Sequence, residues 1–274
     1  MYLAINYSPA AASLLRSGDL NIDYFKAPDW QWMVDEASVL RPVAVHFTLE
    51  AGNGGLEQMD WELVERLSSQ TGTPYINLHL DSRLKHFPGV LVDTTDPGEV
   101  KRIAEILLSD VMFVVDRFGA GRVIVENSPY HAGQGKTLRP CILPEVITRI
   151  IEETGCGLLL DIAHASIAAH HIGMDEHEYI SHLPIQRVRE LHFAGIHLVG
   201  EMLQDHQSIL DANWPLLDWV LARVQSGEWS PAWMLAFEYG GVGLAFDWRC
   251  DPQVIEQQVP LLYERVEKLN KNIS

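Results

Sequence analysis

The sequence predicts a single (β/α)8 TIM barrel, an α/β fold, over residues 1–274. Eight short runs rich in branched and aromatic residues alternate with segments of helical period. The length suits a barrel of eight such units. No glycine-rich GxGxxG turn follows any run, which weighs against the alternative, a doubly wound open sheet.

The expected strands, in order, are YLAIN (2–6), IDYFKA (22–27), VAVHF (43–47), YINLHLD (75–81), RVIVEN (122–127), GLLLDI (157–162), VRELHF (188–193) and MLAFEY (234–239). Continuous apolar runs of this kind are what strands buried on both faces require. Helical spacing marks WELVERLSSQ (61–70), VKRIAEILLSDVMFVVDRF (100–118), LPEVITRIIEET (143–154) and VIEQQVPLLYERVEKL (254–269). Pro97-Gly98, Gly119 and Gly155 punctuate the joints. The first two units are short, with about fifteen residues between strands.

The formal charge of -17 repels a polyanion, and no basic patch offsets it, so nucleic acid is not an expected partner. No apolar run reaches the roughly 20 residues of a spanning helix, so no membrane association is expected. The three cysteines, Cys141, Cys156 and Cys250, are odd in number and far apart. Free thiols in a reducing compartment are the expectation, and with no basic-then-apolar leader the reading is of a cytoplasmic protein.

The chemistry is expected at the carboxyl ends of the strands, which a barrel gathers on one face. Those ends carry Lys26, His46, His79 with Asp81, Glu126 with Asn127, Asp161 with His164, His192 and Glu238. A single histidine at a strand end is ordinarily packing. Repetition of His and carboxylate on six strands is instead the inventory of a divalent-metal site. It also accounts for LLLDIAHASIAAHH (158–171), where an apolar run ends in an acid that burial would penalise without a cationic partner. His170, His171, His177 and His182 are expected on a solvated helical face, and His86 and His131 in loops within reach of substrate.

After the seventh strand, HFAGIHLVGEMLQDHQSILDANW (192–214) reads as a long loop on the same face, bearing His197, Asp205 and His206. Neighbours on an extended backbone point apart. His206 is therefore the expected ligand, with Asp205 orienting a ligand or serving catalysis. Both could ligate only if the backbone bends.

These residues resemble the xylose isomerase-like TIM-barrel superfamily. Asp161-x-x-His164 is similar to its motif after strand six, and Glu126, His192 and Glu238 to its other common ligand positions. The extra His46, His79, His164 and Asp205/His206 resemble most the multinuclear non-haem iron-dependent oxidative enzymes, through HFAGIH…QDH. Two departures stand out: that family usually has Asp-x-His where Asp205 and His206 are adjacent, and it tends to carry acidic and Asn residues where DYFKAPDW places Lys26. The resemblance implies metal ligands His46, His79, Glu126, Asp161, His164, His192, His206 and Glu238, holding two or three divalent transition-metal ions. Iron is favoured, with zinc or manganese as alternatives. It further implies oxidative modification of a small molecule or peptide, with a partner protein delivering the substrate.

A second class is a sugar or sugar-phosphate isomerase or epimerase using one divalent metal. There Glu126 and Glu238 would move the proton and Lys26 would neutralise a phosphate or carboxylate. Trp30, Trp32, Tyr130, Trp214 and Trp248 offer rings for a sugar to stack on. An endonuclease-four-like phosphodiesterase would use similar ligands but conflicts with the charge. A non-catalytic metal-binding role is the remaining class.

Overall fold

The computed structural model describes residues 1–133 and 135–273, which form two compact units. The elements are β1 (Tyr2–Asn6), α1 (Pro9–Ser17), β2 (Tyr24–Pro28), α2 (Gln31–Ser38), β3 (Val43–His46), β4 (Leu49–Ala51), α3 (Trp61–Thr71), β5 (Ile76–Leu80), α4 (Pro97–Phe118) and β6 (Val123–Glu126). They continue as α5 (Pro144–Thr154), β7 (Gly157–Asp161), α6 (Ile162–Ile172), α7 (Glu176–His182), β8 (Val188–Phe193), β9 (Gly195–Val199), β10 (Met202–Gln207), α8 (Trp214–Gln225), β11 (Met234–Phe237) and α9 (Pro252–Ile273). All eight expected strands are present. The short β4 and the β9–β10 hairpin are additions.

The first unit comprises residues 1–46, 62–73 and 190–274. Its parallel strands run in the order β3, β2, β1, β11, β8. The register sets Ala4 beside Ala236, Ala236 beside His192, Met234 beside Glu190 and Lys26 beside Ala44. Side chains alternate across a strand, so even-numbered residues of these strands share one face. Ala4, Ala44, Met234 and Ala236 pack together there, with Tyr24 and Trp233 against them. Three alanines keep that layer thin, and the charged side chains of Lys26, Glu190 and His192 occupy the same face.

The second unit comprises residues 47–61 and 74–189, with parallel strands in the order β7, β6, β5, β4. Here the register puts Glu50 beside His79 and His79 beside Glu126. Two potential metal ligands thus become neighbours through strand pairing alone. Helices α4 and α5 carry buried faces of Ile103, Leu107, Val111 and of Val146, Ile147, Ile150. Each spacing of three to four residues is one apolar stripe. Asp96 caps α4 through Glu99 N at 2.9 Å, and a left-handed Gly155 ends α5.

Among the described residues no helix is long and apolar enough to cross a membrane.

Candidate metal centre

Each unit carries imidazole and carboxylate side chains that could hold a metal ion. In the second unit, Glu126 closes β6 and is buried. His79 Nε2 lies 3.2 Å from Glu126 Oε2, and His164 Nδ1 lies 3.6 Å from Oε1. Asp161 ends β7 and serves as the N-cap of α6, its Oδ1 accepting from His164 N at 2.7 Å. The sequence puzzle of an acid closing an apolar strand therefore has an answer besides a cation: the carboxylate meets the unpaired N–H groups of a helix N-terminus. Asp161 Oδ2 remains 3.7 Å from His164 Nε2. Asn127 clamps the acid from the neighbouring strand. Its amide donates to Asp161 O at 2.8 Å and accepts from Asp161 N at 2.9 Å. Asn127 O in turn meets His164 Nδ1 at 2.9 Å, which makes Nδ1–H the donor and leaves Nε2 toward Asp161.

Asp81, beyond β5, is engaged elsewhere. Arg83 Nε donates to it at 2.7 Å, and the Arg83 guanidinium also pairs with Glu50.

In the first unit, Glu190 accepts from Lys26 and, at 3.0 Å, from Trp233 Nε1. Its Oε1 also holds His192 Nε2 at 2.9 Å. Burial raises the Glu190 pKa, but the Lys26 ammonium and the His192 ring outweigh it and hold the group below the usual carboxylate range. The other His192 nitrogen, Nδ1, lies 3.0 Å from Glu238 Oε1. That is the distance of a hydrogen-bonded ion pair, and it equals the ~3 Å between two ligands set at right angles about 2.1 Å from one ion. The His46 ring lies 5.2 Å from that of His192. Burial opposes charge on both His192 and Glu238. Their mutual attraction prevails, lifting the His192 pKa to about 10 and drawing Glu238 well below its ordinary value.

Lys26, read from the sequence as a strand-end cation for substrate, is buried on β2 with its ammonium on Glu190. The expected loop 192–214 is corrected: it contains the antiparallel β9–β10 hairpin, in which Gln204 faces His197 and the register shifts between Gln204 and Gln207. The extended backbone assumed for Asp205 and His206 is corrected too. His206 has φ 56°, the one non-glycine residue with positive φ among the described residues. The bulge and this left-handed turn bring Asp205 Oδ2 within 3.9 Å of His206 Nε2, so the neighbours face the same way. His206 Nδ1 is held by Glu238 O at 3.0 Å and lies 3.6 Å from Glu238 Oε2.

Of the remaining histidines, His170, His182 and His86 are exposed, whereas His171, His177 and His131 are half-buried. The fully solvated face expected for 170–182 therefore holds only in part. His197 lies on β9, its Nε2 on Ser208 O at 2.8 Å. Glu190 and Asn127, which orient ligand rings, were missed as supports. Their signal was position: Glu190 lies two residues before His192, and Asn127 directly follows Glu126.

Residues 100–230 match the family model described as RiPP precursor modification enzyme MbnB/TglH/ChrH. The chain is similar to that family. The HFAGIH…QDH stretch that suggested the resemblance falls within the matched residues. A UPF0276 protein of Alcanivorax borkumensis is 28% identical over 60% of this chain and 57% of its own length. A UPF0276 protein of Acaryochloris marina is 28% identical over 53% of this chain and 47% of its own length. The chain thus spans about half the length of the curated relatives it matches. Among solved structures, a D-tagatose 3-epimerase-like protein superposes with TM-score 0.58 at 14% identity, covering 100% of both chains. The 3-keto-D-glucoside 4-epimerase of E. coli gives TM-score 0.55 at 13% identity, covering 96% of this chain and 99% of its own. A fusion protein titled xylose isomerase-like TIM barrel/4-hydroxyphenylpyruvate dioxygenase gives 0.54 at 12% identity, covering 97% of this chain and 44% of its own. At such identities the likeness establishes the fold alone, a TIM barrel.

Proposed function

We propose that this chain is a metal-dependent enzyme that holds two or three transition-metal ions, iron foremost, and oxidatively modifies a peptide. The observation supporting it is a shared arrangement of three histidines. His164, His192 and His206 each have one ring nitrogen on an acceptor, and the other nitrogen is directed toward a carboxylate. Fixing one nitrogen selects the tautomer and aims the other, the usual outer support of a metal-bound imidazole. In this reading the ligands are drawn from His79, Glu126, Asp161 and His164 of the second unit and from His46, His192, Asp205, His206 and Glu238 of the first. The donors are imidazole and carboxylate without thiolate, which suits iron, manganese or zinc and not a soft metal.

When bound, the ions supply Lewis acidity and, as iron, redox chemistry with dioxygen. The chain supplies alignment: Glu190 and Lys26 hold His192, Asn127 holds Asp161 and His164, and the Glu238 carbonyl holds His206. The peptide substrate is proposed from the family description, with a delivering partner protein as part of the same reading.

Elemental analysis of protein produced in iron-supplemented medium tests this. At least two ions per chain, iron among them, is the expected result. One ion or fewer after reconstitution would sink the multinuclear reading and favour single-metal isomerase chemistry.

A further inference from the structure

Arg249 ends the helical turn Leu244–Arg249 that follows β11. Its guanidinium lies over the Phe246 ring, 4.8 Å from the centroid, and 5.6 Å from that of Trp248. The Nε atom is buried and has no hydrogen-bond partner among the described residues. Burial disfavours the Arg249 charge and lowers its pKa, while the Glu238 and Asp205 carboxylates favour the charge. A buried donor left unpaired is unfavourable, which marks this one as awaiting an acceptor. Leu244 and Trp248 of the same turn are 91% and 45% exposed, so the turn is open to solvent.

Metal binding would change the balance around this cation. Ions held by Glu238 and Asp205 would offset the carboxylate charges that act on this cation, and its buried Nε would still lack an acceptor among the described residues. A planar guanidinium supported on aromatic rings is suited to two parallel hydrogen bonds with a carboxylate. Lys26 is already committed to Glu190.

We infer that Arg249 binds a carboxylate group of the substrate beside Glu238 and Asp205, with Phe246 and Trp248 fixing the plane of the guanidinium. This rests on the proposed metal-dependent reading and adds an anionic group to the substrate class.

Calorimetric titration of the metal-loaded protein with N-acetylglycine and with its uncharged amide tests the inference. The acid is expected to bind about tenfold tighter, a difference abolished in Arg249→Gln and partly kept in Arg249→Lys. Equal affinities in the unmodified protein, or a preference that survives Arg249→Gln, would overturn it; the latter would place the carboxylate on a metal ion. Tighter, Arg249-dependent binding of glucose 6-phosphate would overturn the carboxylate assignment. Should Arg249→Gln not fold, labelling of the unmodified protein with phenylglyoxal decides: N-acetylglycine, and not the amide, must protect Arg249. The ion count separates this inference from the reading beneath it. An Arg249-dependent preference with one ion or fewer keeps the anion site and discards the multinuclear centre. Two ions with no such preference does the reverse.

Discussion

The ligand set of the second unit is built on regular backbone, whereas that of the first depends on an irregular hairpin. His79 and Glu126 are register partners on adjacent strands, and Asp161 with His164 forms the first turn of α6. Pairing and helix geometry place all four. In the first unit His192 lies on a strand and Glu238 directly follows one, but Asp205 and His206 sit at a bulge with a left-handed residue. The resemblance leads one to expect a spacer between that aspartate and histidine. Here the positive φ of His206 turns the two adjacent side chains to the same side without one. A non-glycine residue in that region costs roughly 1–3 kcal/mol and persists where surrounding contacts enforce it. The hydrogen bond from His206 to the Glu238 carbonyl is one such contact. Regular elements thus tolerate little variation in spacing, while a bulged hairpin can absorb a missing residue.

The largest expected effect on metal content distinguishes the two roles of Asp161. Asp161→Asn retains the helix cap, since asparagine caps as well as aspartate, but removes a charged ligand. Metal content should fall, while melting in chelator should stay level or rise because empty carboxylate clusters repel one another. Asp161→Ala should lose metal and also about 1 kcal/mol of stability from the cap. Full metal content in Asp161→Asn would remove Asp161 from the ligands.

In the first unit, metal-free protein should be sensitive to alkaline pH. The His192 pKa is raised from its ordinary 6.5 to about 10, so the stability from its ion pairs is full below pH 6.5 and declines as pH rises through about 10. Melting curves in chelator from pH 6 to 10 should show that decline, and His192→Gln should flatten it. An unchanged slope in that variant would assign the effect to other groups.

Gly195 tests the base of the hairpin. A Cβ there would stand 1.8 Å from Ser208 O, a backbone atom that cannot yield without moving the strand. Gly195→Ala should cost about 1–3 kcal/mol and weaken metal binding that depends on Asp205 and His206. Unchanged stability would show that the backbone at Ser208 can accommodate the added methyl group. The smallest effect is expected from His206→Gly, which relieves the left-handed strain. Metal-free protein should gain about 1 kcal/mol in denaturant unfolding, and the chain should bind one ion fewer. A loss of stability would show that the His206 contacts outweigh the strain.

Much of this was legible in the chain because strands and helices leave periodic traces. The eight strand runs, and the placement of Glu126, Asp161, His192 and Glu238 at or near strand ends, follow from local patterns of apolar and polar residues, since burial on both faces permits few alternatives. Asp161 could also have been read as a helix cap, because the next residues begin a helical segment. The partners of Lys26 were not legible: its ion pair with Glu190 joins residues 164 positions apart and depends on which strands become neighbours. Nor was the direction of Asp205 and His206, because sequence spacing gives side-chain direction only when the backbone is regular. The sequence alone determined the alternation of strands and helices, the supply of imidazole and carboxylate, and the scarcity of cations to neutralise the acids. Only tertiary structure decided which ring nitrogens are held by an acceptor and which are directed toward a carboxylate. Those choices rest on hydrogen bonds to the Asn127 carbonyl, the Glu190 carboxylate and the Glu238 carbonyl, which exist only once their segments have packed.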